Sequence, residues 1–280
     1  MKVLVTGAQG QLGTDMVHFL KCHPDIYQVF GFGRKDMDIT NIMHLNNIFE
    51  QVKPDVILHL AAYTQVDQAE NDPINAFEIN GKATQNLIVQ SEKISAKFVY
   101  VSTDYVFDGK KGTPYNESDP TNPQSVYGQS KRAGEEFVLS LSSKYFIVRT
   151  SWVYGKNGAN FVKTMLKLGG EGKPLKVVND QFGSPTYTVD LARFLEQLIR
   201  TDKYGIYHAT NSGSCSWYEF AKEIFDTTGM EVDLSPCSTA DFPRPAPRPA
   251  YSVLEHQAIR TNGFEDLRHW REGLKDFLGK

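Results

Sequence analysis

Tyr127 and Lys131, in the segment Val126-Tyr-Gly-Gln-Ser-Lys131, have the types and spacing to do chemistry. Four positions apart on a helix, the two side chains lie on one face, one turn apart. A fixed ammonium beside a phenol favours the phenolate, so a lowered Tyr127 pKa is expected. Such a phenol can give a proton to a ketone, or take one from an alcohol, near neutral pH. Alone, Tyr-x-x-x-Lys describes any exposed helix pair. The residues ahead of it change that reading.

Gly7-Ala-Gln-Gly10-Gln-Leu-Gly13 follows a strand-like start and opens an amphipathic stretch. Glycines there permit a tight turn and close backbone approach to a pyrophosphate, which would sit on the helix N-terminus. Gly7, Gln9, Gly10, Gln11, Leu12 and Gly13 are therefore candidate cofactor contacts. The next strand ends Phe32-Gly-Arg-Lys35, with no carboxylate before Asp36. An acid at that place would bind the ribose 2′-hydroxyl of NAD. Arg34 and Lys35 instead suit a 2′-phosphate, which points to NADPH and leaves NADH as the alternative. Asp38, followed by Ile39, is placed to accept from the adenine amino group.

The elements that must position these groups alternate. Strands are predicted at Lys2–Thr6, Gln28–Phe32, Asp55–Leu60, Lys97–Ser102 and Phe146–Thr150. Helices are predicted at Gln11–Lys21, Ile42–Gln51, Pro73–Ser91 and Ser125–Leu141. This is an α/β pattern: a Rossmann-like, doubly wound parallel sheet covered on both faces, with ligands at the carboxyl ends of its strands. Beyond Gly155 the pattern loosens into helices near Ala159–Leu168, Val189–Arg200 and Ser216–Thr227, and strands at Leu175–Val178 and Ile206–His208. Residues 1–155 are expected to form the cofactor domain and 156–280 a smaller α/β substrate-binding region, with a segment near 187–205 packing back on the first. Asp241–Pro249 holds four prolines in nine residues, which excludes helix and central strand. Its two arginines, in a stiff loop, suit an anionic ligand.

Composition narrows the class. A chain of 280 residues with 40% hydrophobic and 22% charged residues has the balance of a globular protein. A net charge of -3 gives no electrostatic reason to bind nucleic acid or a membrane surface. Cys22, Cys215 and Cys237 are odd in number and far apart, which fits a reducing compartment and no disulfide framework. The chain enters a strand at once, with no signal-like segment, and no apolar run is long enough to span a membrane. A cytoplasmic location is expected. The histidines show no metal-ligand spacing.

Taken in order, the motifs resemble the dTDP-4-dehydrorhamnose reductase family of the extended short-chain dehydrogenase/reductase superfamily. The resemblance rests on Leu60-Ala-Ala-Tyr-Thr-Gln-Val-Asp-Gln-Ala-Glu70, Ser102-Thr-Asp-Tyr-Val-Phe107, Arg149-Thr-Ser-Trp-Val-Tyr154, Asn179-Asp-Gln-Phe-Gly-Ser-Pro185 and Arg248-Pro-Ala-Tyr-Ser252. It implies NADPH-dependent reduction of the C4 ketone of dTDP-4-dehydro-L-rhamnose, the last step of dTDP-L-rhamnose synthesis for surface polysaccharide. In that reading Tyr127 donates the proton, Lys131 lowers its pKa and holds the nicotinamide ribose, and Thr103 binds the reacting oxygen. Leu60, Ala61, Ala62, Tyr63 and Asn80 would line the cofactor. Thr64, Val66, Asp104, Tyr105 and Trp152 would form the sugar pocket, and Asn160, Gln181 and Arg248 would hold the nucleoside diphosphate. Some family members use Mg²⁺ through acidic residues at a dimer interface. That cluster does not map onto this sequence, so a weak or absent metal requirement is expected, in a monomer or a homodimer.

Other chemistries fit the scaffold less well. A 4,6-dehydratase resembles this chain but carries Asp-Glu after its threonine, where Asp104-Tyr105 stand here. A 4-epimerase would share Thr103, Tyr127 and Lys131 but retain NAD, against the cations Arg34 and Lys35. A reductase of a related 4-keto sugar would show nearly the same residues. A non-catalytic, NADP-binding regulatory subunit would be expected to have lost part of the trio.

Overall fold

A computed structural model describes residues 1–280. Its centre is a six-stranded parallel sheet of β1 (Lys2–Thr6), β2 (Gln28–Phe32), β3 (Val56–His59), β4 (Lys97–Thr103), β5 (Tyr145–Thr150) and a sixth strand, Gly205–His208. The spatial order is β2, β1, β3, β4, β5 and then the sixth strand. Side chains alternate across it with period two, as strand geometry requires. Val3, Val5, Val56, Leu58, Val99, Phe146 and Val148 enter one core, while Leu4, Ile57, Phe98, Tyr100 and Ile147 enter the other. Both faces are therefore buried, and each needs a layer of helices.

One face is covered by α1 (Gln11–Lys21), through Met16 and Leu20. The other is covered by α2 (Ile42–Val52), the helical run 73–93 and the long helix Val126–Leu141. Between β3 and the run 73–93 lies α3 (Val66–Asn71), one short helix that the sequence did not announce. It has six residues and no side-chain N-cap, so neither periodicity nor capping marks it. The run expected as one helix is divided into α4 (Pro73–Phe77), a π turn (Glu78–Lys82) and α5 (Ala83–Lys93). Such π turns often mark functional sites, and this one carries Asn80.

Helix α6 (Val126–Leu141) begins where Ser125 caps it, its hydroxyl accepting from the Gly128 amide at 3.1 Å. It lies unusually close to β4 and the π turn. A Cβ on Gly134 would come within 2.5 Å of the Asn80 carbonyl oxygen and would strike the Tyr100 hydroxyl.

After β5 the chain builds a second core from β6 (Val153–Tyr154), α7 (Phe161–Gly169), β7 (Leu175–Val178), β8 (Phe182–Gly183) and β9 (Thr186–Tyr187). It then returns: α8 (Thr188–Ile199) packs Leu191, Leu195 and Leu198 into the core shared with α1, and β10 is the sixth strand. The remaining elements are β11 (Cys215–Ser216), α9 (Trp217–Thr228), β12 (Leu234–Cys237), α10 (Gln257–Thr261) and α11 (Trp270–Leu278). Ile259 and Leu267 join the first core, whereas Phe220, Ile224, Trp270 and Leu274 join the second. A boundary at 155 thus does not divide the cores by chain position. The returning part is longer than 187–205, because β5 would otherwise be an open sheet edge.

Replacing Gly134 by alanine should cost about 1–3 kcal/mol, the usual penalty of overpacking. The expected readout is a lower thermal unfolding temperature. An unchanged temperature would show that α6 can move off β4 freely.

Candidate active site

A cleft of about 1310 Å³ opens at the carboxyl ends of the strands. That exceeds the usual range for one small ligand and suits a dinucleotide with a second nucleotide beside it. At one end is the glycine loop. Gly7 has φ 66°, and a Cβ there would lie 2.7 Å from the Ala61 nitrogen, so only glycine fits between β1 and the end of β3. Gly10 occupies the N-cap of α1 with no side-chain cap, and the first turn carries no acid. The helix's leading N–H groups and the positive end of its dipole are left to an outside anion. These features fit the pyrophosphate of a dinucleotide.

Gly7, Gln9, Gly10, Gln11, Leu12, Arg34, Asp38, Ile39 and Leu60–Tyr63 line the cleft. Gly13 does not; a side chain there would collide with Gly7, so it serves packing within the loop. Lys35 does not line it either, leaving Arg34 as the cation at that end. The nearest carboxylate, Asp36, is already engaged: Oδ2 accepts from the Gly33 amide at 3.1 Å and from the Gln9 amide group at 3.2 Å. Asp38 accepts from the Thr40 hydroxyl and amide, which hold its carboxyl below the usual range.

Thr103, Tyr127 and Lys131 line the same cleft. Thr103 ends β4; its hydroxyl donates to Asp104 Oδ1 at 3.0 Å and accepts from the Tyr105 amide. Burial pushes the Tyr127 phenol up to about 12, opposed by hydrogen bonding to Thr103 and reinforced by the charge of Asp104. The expectation that Lys131 would bring this pKa down is therefore corrected. Lys131 Nζ is turned to the sheet, donating to the Val101 carbonyl at 2.7 Å and lying 4.0 Å from the centre of the Tyr100 ring. Burial pulls the ammonium itself down to about 7, against the attraction of Glu135.

Glu135, one turn beyond Lys131, is fully buried and went unnoticed in the sequence. It receives Ser102 Oγ at 2.6 Å, a two-pronged Arg149 contact at 2.9 Å for each nitrogen, and Arg132 at 2.9 Å. Burial works to raise its pKa, but the Arg149 guanidinium and the other donors keep it below the ordinary range. Asn80 does not line the cleft. Its amide clamps the backbone of Tyr63, accepting from the nitrogen at 2.8 Å and donating to the oxygen at 3.1 Å, and it reaches Ser130 on α6 at 2.9 Å. It is a strut beneath the cofactor end.

At the other end Thr64, Val66, Asp104, Tyr105 and Trp152 line the cleft. Asp104 Oδ2 is buried with no partner, and burial lifts the carboxyl to about 6 against the hydrogen bonds it receives. The trio Asn160, Gln181 and Arg248 is not brought together there. Asn160 caps α7 and donates to Gln11 Oε1 at 2.8 Å, and Gln181 donates to Thr239 at 2.9 Å. Arg248 pairs with Asp67 at 2.8 Å and lines a neighbouring cavity of about 250 Å³, with Tyr105 standing between the two spaces. Trp217, the first residue of α9, lines the main cleft and was not anticipated. Its only sequence mark was the Ser216–Glu219 capping box that spans it.

A family model described as the RmlD substrate binding domain matches residues 1–280, the whole chain. A dTDP-4-dehydrorhamnose reductase of Aggregatibacter actinomycetemcomitans is 41% identical over 287 residues, covering 98% of this chain and 97% of the relative. The chain belongs to the dTDP-4-dehydrorhamnose reductase family. A spore coat polysaccharide biosynthesis protein of Bacillus subtilis, SpsK, is 46% identical over 277 residues, 99% of this chain and 96% of that one. A crystal structure of the family's enzyme from Bacillus anthracis, in complex with NADP, superposes with a TM-score of 0.97 at 48% identity. The superposition covers 99% of this chain and 98% of the other. No helix here is long and apolar enough to cross a membrane, and no group of three or more His, Cys, Asp or Glu is arranged to hold a metal ion.

For this family member the buried Lys131 sets a testable pH dependence. Unfolded, the lysine binds its proton below the ordinary pKa of 10.5; folded, it does so only below about 7. Between these values the unfolded state holds the extra proton, so this group makes stability rise with pH, by at most about 1.4 kcal/mol per unit. Lys131→Met should therefore stabilise the protein near pH 7, with an advantage that shrinks toward pH 10. Denaturant midpoints at pH 7 and pH 9 measure it, and a pH-independent difference would contradict the burial argument.

Proposed function

We infer that the protein reduces the C4 ketone of dTDP-4-dehydro-L-rhamnose to dTDP-L-rhamnose, with NADPH as reductant. The observation that carries this is the meeting of a protonated phenol, a hydroxyl and a lysine in one cleft with an open glycine loop. NADPH, when bound, supplies the hydride to C4. Gly7, Gly10 and the N-terminus of α1 would hold its pyrophosphate, Arg34 its 2′-phosphate, and Lys131 its nicotinamide ribose.

Ketone reduction consumes a proton at the carbonyl oxygen. A phenol lifted to about 12 keeps that proton at neutral pH until the oxygen becomes basic enough to take it. The Thr103 hydroxyl, turned from Asp104, would donate to the same oxygen and polarise it. Solvent then restores the proton. Asp104 lines the cleft beside Thr103 and would accept from a sugar hydroxyl. Thr64, Val66, Tyr105 and Trp152 would shape the rest of the sugar site.

NADPH oxidation in the presence of enzymatically generated dTDP-4-dehydro-L-rhamnose tests the reaction directly. Tyr127→Phe should lower kcat by roughly 10²–10⁴-fold, the usual contribution of a general acid, with NADPH affinity unchanged. Wild-type kcat in that variant would remove Tyr127 from the acid's role. Arg34→Ala should weaken NADPH binding by roughly 10–100-fold, the value of a charge-assisted contact, and leave NADH binding little changed. Equal losses for both nucleotides would mean that Arg34 does not read the 2′-phosphate.

A further inference from the structure

Lys131 is almost wholly buried, yet it lines the cleft. An ammonium has three N–H donors, and burying it is costly unless they find partners. One donor goes to the Val101 carbonyl at 2.7 Å. A second meets an aromatic face, since Nζ lies over the Tyr100 ring, 4.0 Å from its centre. A ring face attracts a cation at that distance, and more strongly where water is excluded. Glu135, the nearest acid along the helix, spends its oxygens on Ser102, Arg149 and Arg132. The carbonyl and the ring are thus the seat of the ammonium, and one donor is left for a ligand in the cleft.

Tyr100 is itself firmly held. It is fully buried on β4, and its hydroxyl donates to two carbonyls at 3.2 Å, those of Asn80 in the π turn and of Lys131. The second of these ties the ring to the backbone of the residue whose side chain it carries. Gly134 leaves room for the hydroxyl, which any side chain there would strike. His59 lies beside the ring, 5.6 Å between centroids, and is fixed in turn by the hydroxyls of Thr6 and Thr84.

We propose that Tyr100 is a positioning residue for the cofactor, its ring seating the Lys131 ammonium so that the remaining donor meets the nicotinamide ribose. This rests on the ribose contact inferred above for Lys131. Tyr100 does not line the cleft, so it reaches a bound dinucleotide only through its neighbours. Two routes are open, from the ring through Lys131 and from the hydroxyl through the π turn, and the test separates them.

Nicotinamide fluorescence on titration with NADPH reads the affinity with no sugar substrate present. Tyr100→Leu should weaken NADPH binding by about tenfold, the scale of a desolvated cation–ring contact. Tyr100→Met should do the same, and replaces it if the leucine variant does not fold. Tyr100→Phe keeps the ring and loses both hydroxyl ties, and should stay within about threefold of the wild type. In a Lys131→Met background the leucine change should cost less than about twofold, because the group it acts through is gone. Wild-type affinity in Tyr100→Leu or Tyr100→Met would overturn the proposal, as would a leucine loss of equal size with and without Lys131. A loss in Tyr100→Phe as large as in Tyr100→Leu would place the effect in the hydroxyl and overturn it too. Lys131→Met binding NADPH as the wild type does would instead remove the ribose contact, and the proposal with it.

Discussion

How tightly α6 lies against β4 governs the rest of the cleft. Tyr127 and Lys131 ride on the helix and Thr103 ends the strand, so their mutual placement is the separation of those two elements. Two features hold that separation. Gly134 lets the helix backbone come down onto Tyr100 and the Asn80 carbonyl. Beneath it, Glu135 draws Ser102 from β4 and Arg149 from β5 to a single buried carboxylate. A buried ion pair contributes little net stability, because desolvation opposes the attraction. Its value here is geometric, since the forked guanidinium fixes direction as well as distance.

The same closeness shapes the acid–base balance. Burial acts on Tyr127 and Lys131 in opposite senses, favouring the neutral form of each, and so moves the phenol up and the ammonium down. Glu135 resists the second shift. The phenol is thereby kept as a proton donor, while the lysine sits near the midpoint of its titration at neutral pH. Proximity along the helix alone had implied a lowered phenol; the direction in which Nζ turns, toward Val101 and Tyr100, decides otherwise.

Much of this was legible in the residues. Strand periodicity located the sheet almost to the residue, because parallel strands buried on both faces are continuous apolar runs. The glycine loop, Arg34 and the Thr103–Tyr127–Lys131 trio were readable because each is a local pattern at a strand end. Pairings across long sequence separation were not. Nothing near Asn160, Gln181 or Arg248 announces that Gln11, Thr239 and Asp67 will meet them. Nothing in the sequence beside Glu135 announces that Arg149 will lie beneath it. Trp217 carries no local mark of the cleft it lines.

The path of the chain has a consequence for how the protein is made. The cofactor sheet begins at residue 2 but gains its outer strand only at Gly205–His208, and its core only at Leu267. While the chain is emerging from the ribosome, α1 has an uncovered apolar stripe until α8 is made, and β5 has a bare edge until β10 follows. Sheets assembled from such distant segments close slowly, and exposed edges invite pairing with other chains. The nucleotide-binding half, first to be translated, is thus among the last parts to become complete.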